Sequence, residues 1–428
     1  MVQSDIELNG NPIELPAAKS AAASTNNYAA QLHNIQVLVA VAQAESIAGA
    51  AKQLFKAPSA VSRSILQLEA AMGLPLFDRE PRGMRLNELG ELVYVRACRI
   101  QSEIHFAADE LVRSRGAGAG SRSSIASYLF SEKKLQLVVA LATTRSFKRA
   151  AEQLGLKPAG ASMALARMQE VIGQPLFEKK AQGIVATDAA VNLIVRGKRV
   201  FAELRHLSSD VSAFNGELRG TVVIGTLPVG RSYLVPSTVA ALLSRYPGLQ
   251  LTSVESPGVH LIQGLRTGEI DIFVGILRDS ARRHEIASEW LFNDDLCILV
   301  RSGHPLAVRR EIALSELVTW QWILPDRSTL ARKMTENVFR NQGLDPPAPS
   351  LESSDSALIR EVLRTSGMLA VAGRNQMTFE IKSGVLHELP LRLPGTVRKI
   401  ALLTREGAML SSAAKMVVDA LRFAAQGL

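Results

Sequence analysis

At 428 residues the chain has room for two or three domains with cores of their own, and its net charge of +9 suits nucleic acid or an anionic membrane surface. Two cysteines, Cys98 and Cys297, are too few for a disulfide framework. No apolar run reaches the ~18 residues of a membrane helix; the chain begins acidic and polar, so secretion is not expected and a reducing, cytoplasmic setting is.

Residues 1–30 are rich in Ala, Ser, Asn and Pro without periodicity and read as a disordered tail. From Leu32 a pattern sets in, with Ile35, Leu38, Val39 and Ala42 at helical spacing. Ser46 suits the N-cap of a second helix over Ile47–Phe55, whose Ala50 and Ala51 permit close packing. After a break at Lys56-Ala57, Pro58 suits the first turn of a third helix that runs to Met72 and stops at Gly73. Short strands at Leu76–Arg79 and Met84–Leu86 flank Gly83. Three helices and a β-wing make a winged helix-turn-helix over 31–90, whose third helix enters the DNA major groove.

Residues 32–90 recur at 132–190 without a gap, at a constant offset of one hundred, with 16 of 59 positions identical. A gapless repeat of that length is one supersecondary unit copied in tandem, so a second winged unit is expected at 129–187. Between the copies, Glu88–Arg115 reads as one long helix, with the linker helix proper at 91–115. Residues 116–128, opening with Gly116-Ala117-Gly118-Ala119-Gly120, read as a flexible linker. A second long helix is expected over Asp188–Phe214, within a linker at 188–216. Residues 116–217 hold fourteen basic against eight acidic side chains, whereas 31–115 hold ten against nine. The second copy is the more cationic.

From Gly220 the character changes. Gly220–Thr226, Leu249–Glu255 and Ile270–Ile276 read as strands, alternating with helices at Leu234–Tyr246 and Val259–Thr267. Leu296–Val300 begins a second stretch of strands and helices, closed by Val397–Thr404 and Ser411–Ala424. Such alternation argues an α/β fold with a mostly parallel sheet.

Ser46-Ile47-Ala48-Gly49-Ala50-Ala51-Lys52-Gln53-Leu54, Ala60-Val61-Ser62-Arg63-Ser64-Ile65, Leu68-Glu69 and Gly73-Leu74-Pro75-Leu76-Phe77-Asp78-Arg79 resemble the head of LysR-type transcriptional regulators. The resemblance covers nearly everything after the first 30 residues. It implies a multidomain protein: two tandem winged helix-turn-helix domains, mainly α, then an α/β two-lobed periplasmic-binding-protein-like effector domain at 217–428. Lobe I is expected at 218–299 and 401–428, lobe II at 300–400. The family has one head per chain, so the duplication is a departure. In the family the long helix after the head pairs with that of a second subunit; two such helices in one chain open an internal pairing. Implied partners are double-stranded DNA, a small-molecule inducer, RNA polymerase and a further copy in a homo-oligomer. No cofactor, metal, membrane partner or catalytic site is implied.

In the first head, base reading falls to the third helix. Ser59, Ser62 and Arg63 lie near its start and Gln67 one turn on; Arg can bind guanine through two hydrogen bonds. Arg79, Arg82 and Arg85 on the wing suit phosphates. A Gln-Pro pair often opens this helix in the family, and Pro58-Ser59 lacks that glutamine. The second head keeps Ser162 but has Met163 where the first has Arg63, and Gly160 in mid-helix. With Arg167, Lys179 and Lys180 it can still hold phosphates, so it either reads bases poorly, reads another sequence, or serves as a spacer. A linker helix of about 26 residues spans ~39 Å at ~1.5 Å per residue, close to the ~34–36 Å between successive major grooves on one face of DNA.

Ligands of two-lobed α/β domains sit at strand C-termini against helix N-termini, which favour anions. The loops 226–232, 255–259, 326–330 and 353–356 qualify. Thr226, Arg231, Ser232, Ser256, Ser328, Thr329 and Ser354 supply donors for an anionic or polyhydroxylated inducer, and the same hydroxyls suit helix caps. No Gly-x-Ser-x-Gly elbow, Walker loop or zinc spacing appears, so no enzyme is read here. Two other readings stay open: an architectural DNA-binding protein with a ligand-free C-terminal domain, and a solute-binding receptor.

Overall fold

In the N-terminal half Ser46, Asn87, Ser121, Ser146 and Thr187 cap helix starts, and Gly73, Gly173 and the left-handed Glu45, Phe55 and Arg145 mark helix ends. This is seen in a computed structural model that describes residues 31–80, 83–114, 121–181, 183–277 and 285–428. The expected tail at 1–30, most of the glycine-rich stretch and Arg82 lie outside them. The chain divides into two units, one of residues up to 221 with the short segments 267–269 and 411–413, the other of the remainder.

In the first unit, α1 (Leu32–Ala44), α2 (Ile47–Leu54) and α3 (Pro58–Met72) precede a hairpin of β1 (Phe77–Glu80) and β2 (Gly83–Leu86). The long helix α4 (Glu88–Ser114) follows, then α5 (Arg122–Leu129). The arrangement recurs as α6 (Glu132–Thr144), α7 (Phe147–Gln153), α8 (Pro158–Ile172), β3 (Phe177–Lys180) and β4 (Gly183–Ala186), closed by the long helix α9 (Asp188–Phe214). Pro58 and Pro158 each stand in the first turn of their helix, and Gly73 and Gly173 end it at φ 77° and 81°. One apolar core runs through both copies and both long helices, from Leu38, Leu68 and Leu76 to Leu141, Met168 and Leu204.

The segment expected to be a flexible linker over 116–128 needs correction. Ser121 accepts from Ser124 N–H to start α5, and Ile125, Ala126 and Leu129 are buried in the shared core. Apolar residues at helical spacing with a cap outweigh the glycines before them.

The second unit has two five-stranded sheets. The first comprises β5 (Gly220–Thr226), β6 (Leu249–Val254), β7 (Ile272–Ile276), β8 (Ile286–Asp294) and, from the end of the chain, a strand over Arg398–Arg405. Its helices are α10 (Pro228–Arg231), α11 (Leu234–Arg245) and α12 (Gly258–Thr267). The second sheet comprises β9 (Leu296–Arg301), β10 (Trp322–Leu324), β11 (Pro349–Glu352), β12 (Leu369–Gly373) and β13 (Leu386–Glu388), with α13 (Leu330–Asn341), α14 (Ser356–Thr365) and α15 (Thr378–Lys382). The returning strand Arg398–Arg405 is β14, and α16 (Ser412–Ala425) ends the chain. Leu296, Ile298 and Val300 of β9 face one apolar layer while Cys297 and Leu299 face the other, the period-two pattern of a strand covered on both sides.

Two expectations change. The sheets are mixed rather than mostly parallel: β5 and β7 run parallel, but β14 is antiparallel to β7 and β8, and β9 is antiparallel to β12 and β13. The chain crosses between lobes at Asp294–Leu296 and returns at Arg398, so residues 296–299 belong to the second lobe and 398–400 to the first. A run such as Leu296-Cys297-Ile298-Leu299 is apolar enough for either sheet. The crossing is fixed by polar groups instead: Asp294 accepts from Asn375 N–H at 2.9 Å and pairs with Arg398, and both side chains are buried.

Candidate nucleic-acid interface and effector cleft

The wing of each repeat is fastened in the same way. Met84 N–H donates to Glu45 C=O at 3.0 Å, and Ile184 N–H donates to Arg145 C=O at 3.0 Å. Glu45 and Arg145 are both left-handed, at φ 50° and 51°. Gly83 and Gly183 come so close to those carbonyls that a side chain would clash. Below the third helix, Glu69 Oε1 accepts from Leu76 N–H and Gln169 Oε1 from Leu176 N–H, each at 2.8 Å. Asn87 donates to Pro75 C=O at 2.9 Å, and Thr187 to Pro175 C=O at 3.0 Å. Different side chains thus make one bond at one place.

On this scaffold the expected contact residues are displayed. Ser59, Arg63 and Gln67 are exposed on α3, while Ser62 is half-buried. Arg85 is exposed on β2, and Arg79 stands opposite Met84 in the hairpin register. In the second repeat Ser162, Met163 and Arg167 are exposed on α8, and Lys179 and Lys180 on β3. Lys180 lies 3.7 Å from Glu178, both well exposed, which leaves its charge largely available.

Beyond residue 90 the structure shows a constellation that the comparison of 32–90 with 132–190 stops short of. Arg96 pairs with Glu203 at 2.7 Å and with Asp210 at 2.8 Å; Arg196 pairs with Glu103 at 2.9 Å and with Glu110 at 3.2 Å. Each pair becomes the other when the two copies are exchanged. The offset of one hundred therefore persists through Arg96/Arg196, Arg99/Arg199, Glu103/Glu203 and Glu110/Asp210, and extending the alignment would have found it. The register shows that α4 and α9 run antiparallel. Burial opposes ionisation of Glu203, but Arg96 and Arg99 outweigh it and hold its carboxyl below the usual carboxylate range.

In the second unit several expected effector residues are engaged locally. Thr226 is buried and donates to Leu227 C=O at 3.0 Å. Ser328 Oγ donates to Asp326 Oδ1 at 2.5 Å, and Thr329 caps α13 by accepting from Arg332 N–H at 3.2 Å. Ser256 Oγ lies 3.4 Å from His260 Nδ1, and Arg231 pairs with Glu255. Across the lobes, α10 packs against the turn Asn375–Met377. There Gln376, nearly buried, donates to Ser356 Oγ at 2.9 Å and to Ser354 C=O at 3.4 Å. Gln376 thus ties the turn 375–377, against which α10 packs, to the loop of Ser354; sequence reasoning missed it because a lone glutamine carries no pattern. Ser256 and Ser328 bond within their own loops. Burial pushes the Cys297 thiol up, which leaves it unreactive.

The family description "Bacterial regulatory helix-turn-helix protein, lysR family" fits residues 32–91 and again 133–191, and "LysR substrate binding domain" fits 215–426. The HTH-type transcriptional regulator GalR of Pseudomonas putida is 36% identical over 391 residues, which is 91% of this chain and 96% of that protein. The chain belongs to the LysR family of transcriptional regulators. A more distant LysR relative, the HTH-type transcriptional regulator GbpR of Azospirillum brasilense, is 26% identical over 294 residues, 68% of this chain and 86% of that one. Among solved structures, a full-length OxyR variant from Pseudomonas aeruginosa shares the fold with TM-score 0.52 at 19% identity, over 69% of this chain and 94% of that one. This LysR-family protein is a transcription regulator, not an enzyme. It binds DNA through its helix-turn-helix portion and responds to a small-molecule effector in its C-terminal domain. No helix among the described residues is long and apolar enough to cross a membrane.

Proposed function

We propose that both repeats are DNA-binding heads and that one chain supplies a complete head pair. The observation that carries this is the exchange-symmetric set of ion pairs between α4 and α9. Antiparallel packing puts the two repeats at opposite ends of helices 27 residues long, about 40 Å at ~1.5 Å per residue. Adjacent major grooves on one face of DNA lie ~34–36 Å apart. The P. putida relative supports the tandem arrangement, because 391 aligned residues leave too few of the 428 to skip either repeat.

In this reading Ser59, Ser62, Arg63 and Gln67 face base edges of one half-site, and Arg79, Arg82 and Arg85 hold its backbone. Ser162, Arg167, Lys179 and Lys180 serve the other half-site. The inducer, anionic or polyhydroxylated, lies between the lobes near Arg231, Ser232, Ser354 and Gln376, with Thr226, Ser256, Ser328 and Thr329 shaping the surrounding loops. The regulator acts in the cytoplasm, as an oligomer joined outside the head pair, and answers to RNA polymerase at the promoter.

Hydroxyl-radical footprinting with the full chain tests the two-headed reading. Two protected half-sites per bound chain, with stoichiometry from calibrated band shifts, are expected. One protected half-site per chain would overturn it.

A further inference from the structure

The two repeats differ in a patterned way. Positions that hold the scaffold keep their bonds even where the residue changes, as at Glu69/Gln169 and Asn87/Thr187. Positions on the exposed face of the third helix change their chemistry. Arg63 becomes Met163, 70% exposed, and Gln67 becomes Arg167. Behind that face the change is correlated. In the first repeat Asn34 Nδ2 donates to Gln67 Oε1 at 3.4 Å, two neutral amides bonded to each other. In the second the same two places hold Lys134 and Arg167, two cations. Lys134 is stacked 3.2 Å from the centroid of Tyr128, and burial, then Arg167, pull its ammonium below its ordinary value. Lys134 Nζ also donates to Tyr128 C=O at 3.0 Å, so the exposed Arg167 is the cation presented to an anion. The exposed thioether of Met163, one turn from Arg167, cannot bind guanine bidentately, but it can cover a thymine methyl.

We infer that the two heads read unlike half-sites: the first is specified by guanine at Arg63, the second by a thymine methyl at Met163 and by a backbone phosphate at Arg167. This rests on the two-headed reading and goes beyond it. The operator of one chain is then non-palindromic, and the chain seats on it in one direction only, although its fold is internally two-fold. Phosphate contacts position the second head and the apolar contact adds modest selectivity.

The test is selection of bound sequences from random duplexes by the full-length protein, with footprinting of the winners. Two protected but dissimilar half-sites are expected. Giving the second head the face of the first, with Met163→Arg and Arg167→Gln together, should move the winners toward an inverted repeat. Preference for guanine at the new contact should rise roughly 5- to 150-fold, the range of a bidentate arginine contact. All changed side chains are exposed, so the variant should fold, which its melting curve would verify. A palindrome selected by the unaltered protein, with both halves protected, overturns this inference and leaves two-headed binding intact. So does an unchanged second half-site in the variant. Protection of a single half-site overturns the two-headed reading instead.

Discussion

Arg96 has no exposed side-chain surface and Glu203 only 3%, so neither charge has water to fall back on. A buried pair of this kind adds little net stability over apolar packing, yet losing one partner is costly. Glu203→Gln should therefore lower stability by about 3–5 kcal/mol in chemical denaturation of the full chain. The symmetry-related Glu103→Gln should cost less, because Glu103 and Arg196 keep 14% and 22% exposure. The acid limb follows from the sign of the shift. The folded carboxyl of Glu203 is depressed, so its contribution is present above the unfolded value of about 4.5 and is lost as pH falls through the lower folded value. Glu203→Gln should flatten the fall in melting temperature on that limb, and an unchanged limb would show that other carboxylates govern it. At the lobe crossing, a Cβ on Gly373 would run into both Arg398 and Asp294. Gly373→Ala should destabilise the effector domain while leaving head contacts on DNA intact, as read by limited proteolysis alongside footprinting.

Among the elements, α5 shows what the sequence hid. Its apolar side is only Ile125, Ala126 and Leu129, too short for a periodicity to stand out beside the glycines before it, and its worth lies in the core it covers. Leu129→Ala should cost about 2–5 kcal/mol as a buried leucine deletion, measurable by denaturant titration; a cost near zero would return the segment to linker status. The helices of the two repeats were legible because caps, helix-stopping glycines and spacing all agree there. The strands β9 and β14 were recognised as strands, but the lobe boundaries were drawn through them, at 299/300 and 400/401, since a strand buried on both faces carries no mark of its sheet. The exposed positions on α3 and α8 were legible from position in the motif. The effector cleft was legible only as a set of loops: Thr329 turned out to be a helix cap, Thr226 a buried local donor, and Gln376 went unseen. Position after a strand does not tell which hydroxyls a cap will claim.

For the molecule as a whole, charge and ligand provide separate handles. Lys179 and Lys180 are exposed on the second wing, and each phosphate contact removed should reduce the slope of log affinity against log salt by roughly one. Replacing both with alanine should flatten that slope by up to about two while the selected sequence stays the same; an unchanged slope would mean that this wing stands clear of the backbone. An inducer that binds only the folded state should raise the melting temperature of the full chain in proportion to RT ln(1 + [L]/Kd). Arg231→Ala, which removes a half-buried partner of the exposed Glu255, should weaken that rise with little change in the melting temperature of the free protein. A full-length chain whose melting and footprint ignore every anionic and polyhydroxylated metabolite would favour the architectural reading.

The antiparallel embrace of α4 and α9 also has a genetic face. Heads on separate polypeptides meet at a rate set by cellular concentration, whereas tethered heads meet at an effective concentration on the order of mM. On the two-headed reading, even a handful of copies per cell would keep every head matched. If one chain supplies both heads, as proposed, a polypeptide with a damaged head can neither borrow a sound one for its own head pair nor lend its broken one to another's. On that reading, lesions in residues 31–216 should leave the head pair of a co-expressed intact chain whole, and any dominant-negative effect they have should vanish when the effector domain, where chains still mix, is also disabled.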